Sequence, residues 1–505
     1  MLLTGSLGLL LLPQVARFDG ALAATADQWR NRTIYQLLTD RFATTSGSTT
    51  ASCTSGYEGY CGGTWQGIIN KLPYIKGMGF DAIWISPVTQ QVSDPTRGWT
   101  GYAQNNLYNV NTNFGSAQDL KNLAAALHSN NMYLMVDVVA NHFGYDGDSA
   151  TIDYSTMTPF NTASDFHTPI CWIVDYTNQT EVEQCWLGDE SYPLPDVKTT
   201  LSSVRSTYAS WIQSLISTYS IDGLRVDTVK HVEKDFWSAF QSAAGVYAVG
   251  EVADGDIDYV CPYQNYLNGL LNYPMYYQLT EFFETSSATS DNLVSAFNYV
   301  NTQCVHPTFL GPFSENHDQP RFPSLNSDMS AAKNVIAWTM LADGMPIIYS
   351  GQEQHYNGGN DPYNREAIWL SGYNTSSELY IYITLMNKIR KLAIAKAPIS
   401  FTVWQSMIIY SDDHHVAVRK GDTGAQIVAV YNNFGSTVTS TYTRSLTSTY
   451  YGAGTVVMEL LGCTTVTVDS SGNLLATFNP SGQTPGLPLI YFPKSLLSGS
   501  GICSQ

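Results

Sequence analysis

The chain has 505 residues, 44% of them hydrophobic and only 13% charged, which gives a globular chain with material for a large core and two or three domains. Acidic residues outnumber basic ones 42 to 24, and the resulting net charge of −18 repels nucleic acid and anionic membranes and leaves a neutral polymer as the easier partner. The 33 tyrosines and 11 tryptophans suit sugar recognition, since flat rings with a polar edge stack on pyranose faces, although most aromatics serve as core packing.

In chain order, residues 2–12 (LLTGSLGLLLL) come first, an apolar run shorter than the roughly 20 residues of a membrane-spanning helix. With the small-x-small pattern Ala21-Leu22-Ala23 it reads as a secretory signal, residues 1–23, cut after Ala23. It is atypical in having no Lys or Arg before the apolar run and in the spacer 13–20 before the cut. Strand-like apolar runs follow at 33–38, 82–88, 133–140, 223–229, 247–252, 309–313 and 345–349, with helix-like segments such as 117–128 and 204–219 between them. Residues 269–277 form a weak eighth run, interrupted by Pro274. Strands alternating with helices in this way predict an α/β fold, a parallel (β/α)8 TIM barrel over 24–141 and 198–401. The spacing jumps at 142–197, rich in Asp, Thr, Pro and aromatic residues with two cysteines, and a connection of that length needs its own structure or function. From 402 to 505, short alternating runs at 416–419, 426–431 and 465–468, broken by Gly, Ser and Asp, predict an antiparallel β-sandwich.

Four of the segments share one layout, an apolar run that ends in acidic or imidazole side chains: YLMVDVVANH (133–142), GLRVDTVKH (223–231), YAVGEV (247–252) and FLGPFSENHD (309–318). Charges at the ends of strands buried on both sides are costly unless they face a site. Strand alternation places Arg225 and Asp227 on one face and Leu224 and Val226 on the other. A cation beside Asp227 favours its ionised form and suits a nucleophile; Glu251, among Val249, Gly250 and Val252, is expected in an apolar setting that raises its pKa and keeps a proton available. A glycosidase needs this division of labour. Singly, Asp227, Glu251 and Asp318 read more readily as helix caps, core ion pairs or solvated loop residues; together, and accompanied by Arg225, His142 and His317, they point to a site.

Eight cysteines, an even count without CxxC pairs or zinc spacing, indicate a disulfide framework, with 105 possible pairings. Sequons at Asn178 and Asn374 offer glycan sites if exposed, and a third, Asn31, abuts the first strand-like run and is expected to be inaccessible.

From about Trp29 to the C-terminus the chain resembles glycoside hydrolase family 13, the alpha-amylase family, and within it the secreted fungal enzymes of the Taka-amylase type. The motifs that carry the resemblance are DVVANH (137–142), GLRVDTVKHV (223–232), GEVADGD (250–256) and ENHDQPRF (315–322). The resemblance implies a secreted, extracellular, monomeric enzyme that hydrolyses internal alpha-1,4 bonds of an alpha-glucan polysaccharide or oligosaccharide with retention, with 142–197 as the inserted domain. It implies Asp227 as nucleophile, Glu251 as general acid/base and Asp318 as the third carboxylate, with substrate held by Tyr102, His142, Arg225, Lys230, His231, His317, Asp361 and Arg365. It further implies a Ca2+ ion held by the side chains of Asn141 and Asp196 and the backbone carbonyls of Glu183 and His231, although from sequence alone Asp196 reads more readily as a helix cap before Lys198. The disulfides it implies are Cys53–Cys61, Cys171–Cys185, Cys261–Cys304 and Cys463–Cys503. One departure stands out: the relatives' Gly-Tyr-Trp is Gly101-Tyr102-Ala103 here, after a loop (91–100) shorter by about three residues, so a stacking platform is expected to be missing, with Trp99 as a partial substitute. The alternatives are a 4-alpha-glucanotransferase, disfavoured by the presence of both His142 and His317, and an inactive glucan-binding protein, disfavoured by the intact carboxylates.

Overall fold

In the computed structural model, which describes residues 24–504, seven parallel strands form one sheet: β1 (Ile34–Gln36), β2 (Ala82–Ile85), β3 (Tyr133–Val138), β4 (Gly223–Val226), β5 (Tyr247–Gly250), β6 (Gly269–Leu270) and β7 (Ile347–Tyr349). Their order is β6-β5-β4-β3-β2-β1-β7. Residues 310–312 close the gap between β6 and β7: Gly311 N–H donates to Leu270 O at 2.8 Å, Asn272 N–H to Gly311 O at 2.9 Å, Met345 N–H to Leu310 O at 2.9 Å and Ile347 N–H to Pro312 O at 3.0 Å. A (β/α)8 barrel results, its eighth stave too irregular to count as a strand because Pro312 has no N–H to give. The weak run at 269–277 is a two-residue strand followed by a helix, Tyr273–Glu284; Pro274 sits in the first turn, where a missing N–H costs nothing. The signal reading concerns residues outside those described.

Strand alternation sorts the side chains. Ile34, Ala82, Trp84, Met135, Tyr247, Val249 and Ile347 pack together inside the barrel, whereas Tyr35, Ile83, Leu134, Val136, Leu224, Ala248 and Ile348 belong to the layer under the surrounding helices. At the N-terminal end of the barrel the Trp29 indole packs against Gly223 and donates to Asp222 O at 2.9 Å. A Cβ at Gly223 would lie 2.6 Å from that ring, so the close approach requires glycine.

Between β3 and β4 the chain leaves the barrel through short 3-10 turns, one helix (Gln179–Gln184) and a two-stranded ribbon (Leu187–Gly188 with Pro193–Leu194). The excursion is stitched back where Val197 N–H donates to Asn141 O at 2.8 Å and Phe143 N–H to Pro195 O at 2.9 Å. After the barrel, six antiparallel strands form a sheet (Met407–Asp412, His415–Lys420, Ile427–Asn432, Leu489–Pro493, Val456–Glu459, Thr464–Thr467) with the pair Tyr442–Leu446 and Leu474–Phe478 packed over it through Val428, Val430, Leu446, Leu474 and Phe478. The predicted runs at 416–419, 426–431 and 465–468 lie on three of these strands. Tyr431 and Asn432 join this sheet to the barrel, the ring of Tyr431 packing 4.9 Å from that of Trp338 and Asn432 N–H donating to Asn334 Oδ1 at 3.0 Å. The disulfides are Cys53–Cys61, Cys171–Cys185, Cys261–Cys304 and Cys463–Cys503, the pairing the resemblance implied. Asn178 and Asn374 are exposed, and so is Asn31, against the expectation that the adjacent strand hides it: it lies before the strand starts at Ile34.

Candidate active site

At the C-terminal end of the barrel one guanidinium gathers three carboxyl groups. Arg225, only 1% exposed and pointing inward from β4, reaches Asp137 Oδ1 (3.0 Å) and Asp227 Oδ1 (2.6 Å) through Nη1 and Glu251 Oε1 (3.0 Å) through Nη2. Asp137 lies on β3, Asp227 one residue past β4 and Glu251 one residue past β5, so neighbouring strands set the spacing. Thr228 completes the turn with a left-handed backbone (φ 48°), uncommon for a β-branched residue; its N–H donates to Glu251 Oε2 at 3.0 Å and its hydroxyl to Asp227 Oδ2 at 3.0 Å. The Tyr273 hydroxyl donates to Glu251 Oε1 at 3.2 Å.

These contacts correct the expectation for Glu251. Its surroundings are not apolar: Arg225, Thr228 and Tyr273 all donate to it, because the residue beyond the strand turns toward the barrel axis, where the polar groups collect. Arg225 serves both carboxylates rather than Asp227 alone. The expectation that the cation favours ionised Asp227 is corrected as well: burial outweighs Arg225 and raises the carboxyl above the usual range, and Glu251 and Asp137 push it further up. Burial likewise pushes Asp137 up to about 6 against the same guanidinium.

Asp137, quoted within its motif but given no role from sequence, also accepts from Trp84 Nε1 at 3.1 Å and from the Tyr102 hydroxyl at 2.8 Å. His317 Nε2 lies 2.7 Å from that hydroxyl, and Gln36 Nε2 lies 2.8 Å from His317 Nδ1. Burial, helped by Arg365 and Arg225, lowers the His317 pKa and keeps the ring neutral. His142 Nε2 lies 3.1 Å from Tyr102 O, and burial lowers its pKa to about 4. Asp318 is more accessible than Asp137, Asp227 and Glu251, its side chain 34% exposed; Arg365 Nη2 approaches it at 3.3 Å, and Arg365 Nη1 pairs with Asp361 Oδ1 at 3.0 Å. Lys230 donates to Ala253 O at 2.8 Å, beside buried His231, whose Nδ1 lies 3.1 Å from Val182 O. Every residue expected to act on substrate therefore lies at this end of the barrel. The signals missed were Asp137, Gln36, Thr228 and Tyr273, of which only Asp137 carried one in sequence, an acid at the end of an apolar strand.

A cavity of about 560 Å3 opens beside Tyr102 and is lined by Trp99, Asp361 and Arg365 among others. Ala103 is not part of it. It is 0% exposed, its N–H donates to Gln91 Oε1 at 2.8 Å, and it packs against Gly144. The expected gap in a stacking platform is thus a buried contact with the inserted segment, and Ala103 cannot present a ring to substrate. Trp99, 2% exposed, is held under the Arg41 guanidinium at 3.9 Å and lines the cavity wall.

Asn141 and Asp196 face one another across the seam between barrel and insertion, through the bridge His142↔Asp196. Asp196 caps no helix; its Oδ1 lies 2.6 Å from His167 Nδ1. Asn141 Oδ1 and Asp196 Oδ2 are buried without a hydrogen-bond donor, and burial, with Glu233, raises the Asp196 carboxyl. Two orphaned hard oxygens at one seam fit an oxygen-coordinated cation. Among the described residues no group of three or more His, Cys, Asp and Glu side chains is arranged to hold a metal ion, so further ligands there have to be carbonyls or amides. The Glu183 carboxylate accepts from Gln179 Nε2 at 2.7 Å through Oε1.

The alpha-amylase catalytic-domain family matches residues 36–418, and the alpha-amylase domain C family matches residues 408–505. Alpha-amylase 1 of Lipomyces kononenkoae is 52% identical over 98% of this chain and 78% of its own length, and alpha-amylase 1 of Schwanniomyces occidentalis is 48% identical over 96% and 93%. Among solved structures, an alpha-amylase from Malbranchea cinnamomea superposes with a TM-score of 0.91 at 47% identity, covering 95% of this chain and 100% of that one.

Proposed function

The chain belongs to the alpha-amylase family of glycoside hydrolases and has alpha-amylase activity, and we propose that it cleaves internal alpha-1,4 bonds of starch- and glycogen-type glucans by a retaining double displacement. The observation that carries this reading is the pair Asp227 and Glu251 on the two Nη atoms of one buried arginine. Two carboxyl groups drawn to one guanidinium favour the close pairing used for covalent displacement, about 5–5.5 Å, over the roughly 6.5–9.5 Å that leaves room for an attacking water. Asp227 Oδ2, which accepts from the Thr228 hydroxyl, attacks the anomeric carbon while Glu251 protonates the glycosidic oxygen. Water, deprotonated by Glu251, then releases the glucan. Asp318 grips hydroxyls of the flattening ring, Tyr102 packs against it, and neutral His142 and His317 hydrogen-bond to it. Asp361 and Arg365 hold the next glucose on the non-reducing side, and Lys230 and His231 line the acceptor side.

Product analysis on soluble starch, with and without maltose as acceptor, checks this assignment. Internal cleavage to short maltooligosaccharides without lengthened acceptor products is expected; chain lengthening that dominates over hydrolysis would favour the 4-alpha-glucanotransferase alternative.

The side chains of Asn141 and Asp196 and the carbonyls of Glu183 and His231 would hold a Ca2+ ion, which would join the inserted domain to the barrel. Its chemistry is structural: it supplies charge to orphaned oxygens, while the reacting atoms are left to the carboxylates. An ion bound only by the folded chain adds stability by mass action. The melting temperature should therefore fall in EDTA and recover with calcium but not magnesium, whose octahedral demand suits carbonyl-rich cages poorly. A melting curve unchanged after verified metal removal would sink this site. Four disulfides suit an oxidising, extracellular setting, and the exposed sequons suit a secreted glycoprotein.

A further inference from the structure

We propose that the donor side of the cleft selects by charge, admitting neutral glucosyl units and rejecting units that carry an anionic substituent such as a phosphate monoester. This rests on the donor-side assignment of Asp361 and Arg365 above. The cavity beside Tyr102 is lined by four carboxylates, Glu58, Asp94, Asp148 and Asp361, and by two cations, Arg97 and Arg365.

Both cations are already engaged. Arg97 donates to Tyr145 O at 2.6 Å and Ser191 O at 2.6 Å and pairs with Asp94 at 3.3 Å, so it pins the loop after β2 to two segments of the insertion. Arg365 pairs with Asp361 at 3.0 Å and Asp318 at 3.3 Å and donates to His317 O at 2.9 Å. Glu58 and Asp148 have no ion-pair partner among the described residues. The charge of Glu58 is felt within the cavity: burial raises Asp361, Arg365 opposes, and Asp318 and Glu58 push it further up. Tyr192, on the wall, is raised to about 12 by burial first, with Asp94 and Glu58 adding to it against Arg97 and Arg365.

A neutral sugar meets acceptors for its hydroxyl protons. A phosphate dianion in the same place finds no unengaged guanidinium to receive it bidentately, and two unpaired carboxylates oppose it. Because these carboxylates are exposed, the repulsion is screened by salt, with a Debye length of about 8 Å at physiological ionic strength and about 3 Å at 1 M.

The test compares kcat/KM for maltopentaose with that for maltopentaose phosphorylated at C6 of its non-reducing glucosyl unit, at 10 mM and at 1 M salt, in the native chain and in the double variant Glu58→Gln, Asp148→Asn. The phosphorylated substrate should be disfavoured at least about tenfold at low salt, and both high salt and the double variant should shrink that ratio severalfold. A ratio unaffected by salt and by the variant would mean that the pocket excludes the group by size, and would overturn the proposal; so would equal rates on both substrates. If unmodified maltopentaose were not cleaved at all, the glucan-hydrolase reading itself would fail, an outcome distinct from either.

Discussion

Asp227→Asn should abolish glucan hydrolysis while the protein still folds and still binds glucan. The substitution keeps the volume of the side chain and its contact with Arg225 but deletes the charge that forms the bond to the anomeric carbon. A single group that transfers a proton in the transition state is ordinarily worth about 10²–10⁴-fold, and loss of a nucleophile belongs at or above the top of that range. Measured on soluble starch, kcat should fall by at least about 10³, with an unchanged melting temperature and persistent binding to a glucan column. A variant that kept more than about a tenth of the native rate would remove Asp227 from the role.

The largest stability effect is expected at Arg225. Its replacement by Met preserves length but leaves the side chains of Asp137, Asp227 and Glu251, which are 0%, 8% and 10% exposed, around a buried site without a cation. Removing one partner of a buried ionic cluster typically costs about 3–5 kcal/mol, because the remaining charges stay desolvated. The loss should depend on pH with a definite sign. Asp137 and Asp227 already have raised carboxyl pKa values in the folded state, Asp137 to about 6, and loss of the cation raises them further. Over the window from the unfolded value, near 3.8, up to that folded value the native state binds more protons than the unfolded chain. Stability therefore falls as pH rises through the window, and the deficit of Arg225→Met should be greatest above about pH 6 and shrink toward pH 4. Urea denaturation of both proteins at pH 4.5 and 7.5 checks this; a deficit that grew on acidification would contradict the cluster as described.

The barrel was legible because strands buried on both faces are apolar throughout and tolerate charge only at the ends that form a site, which is where Asp137, Asp227 and Glu251 lie. The stave at 310–312 was legible as an apolar run, but its irregularity comes from Pro312 and from backbone bonds that only the closed barrel reveals. Chemistry shared between strands was harder to read. Alternation placed Arg225 and Asp227 on one face, yet the approach of Arg225 to Glu251 depends on the stagger between β4 and β5, which no local pattern encodes. The left-handed turn at Thr228 had no signal at all, since a β-branched residue argues against it. Ala103 shows the opposite failure: the neighbouring Tyr102 reaches the site, but the chain turns there, and the adjacent side chain points into the insertion instead. Asn141 and Asp196 lie far apart in sequence, and the resemblance paired them where spacing could not.

The central claim, that Asp227 and Glu251 work as a closely spaced retaining pair, is tested most directly by the anomeric configuration of the first products. Proton NMR of a maltooligosaccharide digest, recorded before mutarotation proceeds, should show the new reducing ends as the alpha anomer. Initial release of the beta anomer would mean direct attack by water, and would contradict the account.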